Sequence, residues 1–433
     1  MCPINNPLIT TPAAIPPIPP PPVPIPAPIP IPAPIPPPPL QLTPIIDWTG
    51  LAPIANQKWD GTQYVRTNNR NEFVDLTTTT DPHLQPFLAT FTPPPVVNIV
   101  NATANDTYDI TTATYNFDVE NAKAIANFGN SCYFGVIMQL LYVMYDVRDE
   151  IRTMPDYNYL DPAATFDINQ KNAYKKIKEL LIDMSRHPKT TPINVFSYPA
   201  VKNVFFPAIP ITEEEDAEEF FVKFTQNLNP IINDKFMIKG NQISYYVDKV
   251  TILSSIRYEN HMFLVKQNII QAKSDATIEE AIMKQYATME LQEGVNAIPH
   301  GTDFVFGYRF YEITTLPEYF IVYLNPFDVI GKQMNTIKIN TTLTLTANGT
   351  TVIYFMLAII VHRGNDIKSG HYTILVYDNK MGTNFNYIYY DDATSKIVNM
   401  PVGTKIIPQT LYIKDPTTET AFIVLYGDIT KLR

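Results

Sequence analysis

The chain has 433 residues, 45% hydrophobic and 17% charged, which excludes a wholly disordered protein and leaves room for a large core and more than one domain. Its net charge of −10 argues against a nucleic-acid-binding surface as the main function. Two cysteines, Cys2 and Cys132, supply neither a disulfide framework nor a four-cysteine zinc site, and they predict a reducing compartment, cytosol or nucleus.

Residues 1–44 hold half of the 40 prolines, in repeats such as Ile-Pro-Ala-Pro. Such a segment lacks backbone donors and predicts a disordered, polyproline II-like arm. No Lys or Arg precedes Lys58 to orient an SH3-type ligand, so it reads as a stiff spacer first and as a ligand for a proline-binding module second. Residues 45–120 contain both tryptophans, Trp48 and Trp59, and fit either a small β appendage or an extended arm on the main domain.

From 121 onward the texture is that of a folded enzyme. The region 132–154 predicts a helix apolar nearly all round, hence buried. Amphipathic spacing predicts helices over 172–185 and 213–228, the latter capped by Thr212 ahead of three glutamates. Strands are predicted over 245–253, 261–270 and 304–313, interrupted by a helix over 277–291. Further strands follow at 319–324, 354–362, 371–377, 386–390 and 422–426. Helices first and antiparallel strands later predict an α+β protein. No apolar run reaches membrane-spanning length.

Cys132 follows a turn of small and amide residues (Gly129, Asn130, Ser131) and opens an apolar helix. A thiol there points at the free N–H groups of the first turn, which favour the thiolate. A buried cysteine acting as a small hydrophobe is the alternative. His371 opens a strand directly after Gly370, whereas His362 reads as a locally bonded histidine at a strand end. Asn127 carries an amide that can serve either a developing oxyanion or a turn. Asp216 and Glu219, three apart, share one helix face.

Asn127, Gly129, Asn130, Cys132, Tyr133 and Gln139 resemble the cysteine box of the ubiquitin-specific proteases, with Ser131 in the usual threonine place and Gly135-Val136 replacing Asn-Ser. Gly370-His371-Tyr372 after Val361-His362 resembles the family's histidine box. The segment 214–220 resembles its Gln-Gln-Asp-Ala-x-Glu-Phe box, with Glu214 and Glu215 replacing the glutamines. Leu316-Pro317 and the strands near 357 and 425 match in order, so the resemblance spans 121–433.

The resemblance implies a papain-like α+β fold with thumb, palm and fingers. It makes Cys132 the nucleophile, His371 the base, Asp391 the orienting acid with Asp392 a second acidic position, and Asn127 the oxyanion donor. Adjacent strand residues face opposite ways, so only one aspartate is expected on the imidazole. Asp216 and Glu219 would bind the arginines of ubiquitin's tail, with Gly370 and Tyr372 also on the substrate path.

The implied activity is cofactor-free hydrolysis after the C-terminal glycine of ubiquitin, with ubiquitinated proteins as partners. A catalytically weak ubiquitin-binding scaffold, or a protease for a ubiquitin-like modifier, is the alternative. Most family members carry zinc-binding cysteine pairs in the fingers. Here 226–316 contains no cysteine, and His300 stands alone where a cysteine pair is expected, which predicts fingers without metal. The Ile-, Asn- and Tyr-rich, cysteine-poor texture suggests a divergent, viral member.

Overall fold

The computed structural model describes residues 124–432 with short interruptions, together with three strand segments between 57 and 75. The proline-rich segment 1–44 and the cap predicted at Thr212 lie outside the described residues.

The helix predicted over 132–154 is two helices, Cys132–Val143 and Tyr145–Thr153, broken at Met144 with ψ 83°. The reason is a buried cation. Arg148 is 3% exposed, lies 4.7 Å from the Tyr142 ring and 4.6 Å from the Tyr145 ring, and donates to the Tyr142 carbonyl at 3.4 Å. An uninterrupted ladder would claim that carbonyl for itself. The next helix, Ile168–Arg186, starts four residues before its predicted boundary because Asp167 and Gln170 cap it reciprocally, at 2.8 and 2.9 Å.

The helix predicted over 213–228 is shorter, Ala217–Thr225. Asp216 is its cap, with extended backbone and a carboxylate that accepts the Glu218 N–H at 2.7 Å. Glu215 is held ahead of the helix by a fully buried partner, Lys202, at 3.4 Å. Tyr133 on the first helix packs edge-on to Phe206 and Phe220 at centroid distances of 6.0 and 5.7 Å. Each aromatic ring buried in this way contributes about 1.5–3 kcal/mol.

A five-stranded sheet follows in the order Phe73–Asp75, Thr288–Gln292, Gly307–Thr315, Ile238–Tyr246, Ile252–Asn260. Three expectations are corrected in this region. The strand predicted over 245–253 straddles a hairpin, whose strands pair through Tyr245 and Ile252. The helix predicted over 277–291 is Ile278–Tyr286, boxed by Thr277 and Glu280, and its expected last turn is the strand Thr288–Gln292. That stretch gains ladders on both sides, which outweighs local helical propensity. The strand predicted over 261–270 is only Phe263–Leu264 within the described residues. Residues 45–120 supply both a hairpin, Gln57–Trp59 with Tyr64–Arg66, and the strand Phe73–Asp75 on the sheet edge.

Among the described residues, an eight-stranded sheet forms the palm. Its order is Thr394–Met400, Phe385–Asp391, Ser369–Asp378, Thr350–Asp366, Glu419–Asp428, Tyr319–Tyr323, Phe263–Leu264, with Thr342–Ala347 beside the long fourth strand. Asn348 and Gly349, both with positive φ, close that last hairpin in two residues. Glu419–Asp428 is buried at every position, so its centre, Ala421 to Tyr426, is a continuous apolar run rather than an alternation. The Cys132–Val143 helix packs on the strand Ser369–Asp378, which brings the cysteine and histidine segments together. The architecture is α+β, as predicted.

Candidate active site

Two consecutive left-handed residues, Gly129 (φ 54°) and Asn130 (φ 55°), turn the chain into the Cys132 helix. The Asn127 side-chain oxygen, Oδ1, fastens this turn by accepting from the Ser131 N–H at 2.9 Å and from the Ser131 hydroxyl at 3.1 Å. The Ser131 hydroxyl in turn accepts the Phe128 N–H at 2.7 Å. Ser131 therefore spends its side chain on the turn and leaves the helix N-terminus without a side-chain cap. Cys132 sits at that uncapped end, 2% exposed.

Its thiol accepts from the main-chain N–H groups of Tyr372 and Tyr133. Burial nonetheless pushes it up to about 12, and the nearby Glu214 and Asp392 carboxylates add to the rise. Burial thus works against the thiolate that the helix terminus favours.

His371 lies one residue before Tyr372. Its Nε2 is 2.7 Å from Asp391 Oδ1 and 3.9 Å from Asp392 Oδ2. Only Asp391 is at hydrogen-bond distance from the ring, but strand alternation is not the reason. The strand ends at Asp391, and Asp392 adopts φ 50° in a two-residue turn back to Thr394. Both carboxylates therefore flank the imidazole, with only Asp391 at hydrogen-bond distance. Asn127 Nδ2 donates to Asp392 Oδ2 at 3.2 Å, tying the cysteine turn to the aspartate turn.

Asp391 has a second partner, Lys414 Nζ, at 2.8 Å from Oδ2. Burial opposes its charge, but hydrogen bonds from Lys414 and His371 hold it below the usual carboxylate range. Among the described residues, only His371, Asp391 and Asp392 bring ligand-type atoms close enough together for a cation, within 4.8 Å. With Lys414 and Asn127 donating to the two carboxylates, the cluster suits proton handling.

Behind the histidine strand, His362 is fully buried, its ring 4.7 Å from Tyr372 and 5.3 Å from Phe327. Lys332 Nζ donates to the His362 carbonyl at 2.9 Å and sits 3.3 Å from Nδ1. Burial, then Lys332, pushes the imidazole down to about 3, so His362 is a neutral packing residue.

Residues 124–426 match the ubiquitin carboxyl-terminal hydrolase family. A protein of Acanthamoeba polyphaga mimivirus, provisionally named ubiquitin carboxyl-terminal hydrolase L293, is 47% identical over 403 residues, covering 91% of this chain and 89% of its own.

The chain belongs to the ubiquitin carboxyl-terminal hydrolase family. It is a cysteine-type deubiquitinase with a papain-like α+β fold. The relative's giant-virus source agrees with the viral character read from the sequence. No helix among the described residues is long and apolar enough to cross a membrane.

The other residues singled out for this hydrolase fall as follows. Asp216 caps the Ala217–Thr225 helix, and burial pushes its carboxyl up to about 7 against the N–H groups of Glu218 and Glu219. Glu219 is exposed and pairs with Lys223 at 2.8 Å. The Tyr372 ring is buried, so the residue presents its main chain to the thiol. The Gly370 N–H donates to Glu214, which stands where the family has glutamine. A Cβ at Gly370 would lie 2.1 Å from the Arg363 carbonyl and 2.7 Å from His362 Nε2, so only glycine fits beside the histidine. Lys414 escaped the sequence reading, since nothing local links it to an aspartate 23 positions earlier.

Proposed function

We propose that this hydrolase cuts the isopeptide or peptide bond after the C-terminal glycine of ubiquitin, using Cys132, His371 and Asp391. The observation that carries the proposal is the 2.7 Å contact of His371 Nε2 with Asp391, beside a Tyr372 N–H directed at Cys132. With Nε2 engaged, Nδ1 is the nitrogen left to take the thiol proton.

Cys132 Sγ attacks the glycine carbonyl as His371 accepts its proton, and the developing oxyanion takes donors from the Cys132 N–H and the Asn127 amide. Collapse to the thioester breaks the C–N bond, and the imidazolium returns the proton to the departing lysine amine. Water, deprotonated by His371, then releases ubiquitin and the free thiol. Asp216 and Glu219, with Gly370 and Tyr372, line the path of the substrate's tail. Asp392 holds Asn127 in position. A cytoplasmic or nuclear setting suits the free thiol, and strand pairing carries the fingers without metal.

The buried thiol favours a second reading, a ubiquitin-binding scaffold with weak catalysis. An electrophilic ubiquitin probe decides between them. Labelling of wild-type protein and none of Cys132→Ala supports the protease; failure to label while Cys132→Ala still binds ubiquitin refutes it. Labelling only by a probe built on a ubiquitin-like modifier moves the same chemistry to that substrate.

A further inference from the structure

We infer that Lys414 is a positioning residue for the His371–Asp391 pair, an inference that rests on the protease reading above. Asp391 is held from both sides: Oδ1 meets His371 Nε2 at 2.7 Å and Oδ2 meets Lys414 Nζ at 2.8 Å. A carboxylate with one restraint can swing about its χ2, whereas one with two presents a fixed lone pair to the imidazole. The ammonium also lies over the Tyr389 ring, 4.3 Å from its centroid, which limits its own freedom.

The lysine is not a loose surface cation by construction. Its backbone N–H donates to the Glu419 carboxylate, as does the Asp415 N–H at 3.0 Å. Glu419 is 2% exposed and accepts from Arg363 Nε at 2.7 Å. Arg363 in turn pairs in register with His371 on the neighbouring strand. Asp415 closes the loop through Thr417 and Thr418. A buried carboxylate thus fixes the main chain of the residue whose side chain fixes the catalytic aspartate.

The same placement sets a charge balance. A cation across Asp391 opposes a second positive charge on His371, so Lys414 keeps the imidazolium from becoming too stable to return its proton. The other titratable groups facing the pair are Cys132, Glu214 ahead of its helix, Asp392 in the turn, Arg363, the neutral His362 and Tyr389, and Tyr389 is the one that also touches the Lys414 ammonium, a contact that Lys414→Arg keeps cationic.

The test compares Lys414→Met with Lys414→Arg in the full chain. For Lys414→Met we expect kcat on a fluorogenic ubiquitin substrate to fall about tenfold with KM unchanged, by loss of orientation. We also expect the His371 imidazole, followed by NMR titration, to move toward higher pH, the direction that loss of a nearby cation gives. Lys414→Arg restores both. Wild-type kcat and an unmoved His371 titration in Lys414→Met would overturn the inference. Equal losses in both variants without a titration shift would also do so, by reducing Lys414 to packing. Absence of turnover in the wild type would refute the protease reading instead, and the His371 titration would still decide the role of Lys414.

Discussion

Gly370→Ala is the most informative single perturbation, because it adds one carbon next to the general base and nowhere else. The new Cβ would meet the Arg363 carbonyl at 2.1 Å and His362 Nε2 at 2.7 Å, while carbon contacts do not fall below 3.0 Å. Arg363 cannot yield freely, since it is laddered to Glu419 on one side and to His371 on the other. The backbone at Gly370 must therefore move by roughly 1 Å, and a displacement of that size at a catalytic group costs about 10²-fold in rate. Its φ of 152° adds strain for any residue with a side chain. Overpacking of this kind costs about 1–3 kcal/mol of stability, too little to unfold a domain of this size.

The assay is kcat/KM on a ubiquitin C-terminal amide, paired with chemical denaturation of the same samples. Gly135→Ala is the internal control. Its Cβ would meet only Ile125 atoms at 3.9 Å, an ordinary contact within a helix. It should gain up to about 1 kcal/mol of stability and leave activity alone. A Gly370→Ala protein with wild-type kcat/KM would refute the steric reasoning.

Cys132→Ala and His371→Ala should each abolish turnover, and full activity in either would sink the assignment. Asn127→Ala should lower kcat by about 10²–10³ if its amide stabilises the oxyanion; an effect confined to thermal stability would return Asn127 to a turn role. A chelator should leave activity unchanged, and its loss on chelation would disprove metal-free fingers. His362 is neutral when folded and titrates normally when unfolded, so stability is full above pH 6.5 and declines as pH falls from there toward about 3. The slope from this group is at most about 1.4 kcal/mol per pH unit, and His362→Gln should flatten the urea-unfolding profile between pH 4 and 6.5.

The site was legible in the sequence where local chemistry and chain order carry the information: a small-residue turn before Cys132, a glycine before His371, an aspartate at a strand end. What escaped was set by long-range contact. The break at Met144 answers a buried Arg148 that no helical period reveals. The cap at Asp216 displaced an expected helix start because Glu215 is committed to Lys202, thirteen residues earlier. Thr288–Gln292 carries helical composition and becomes a strand only because two partners reach it. Asp392 comes to lie beside the imidazole, 3.9 Å away, because its backbone turns left-handed, which adjacency in a strand forbids.

The strand Phe73–Asp75 has a practical meaning. It covers the free edge of Thr288–Gln292, whose unpaired amide and carbonyl groups would otherwise template self-association. The minimal well-behaved protein therefore begins upstream of residue 73, well before the matched region opens at 124. Shortening the chain to that boundary would leave the catalytic groups in place yet expose a sticky seam, visible as concentration-dependent oligomers in light scattering.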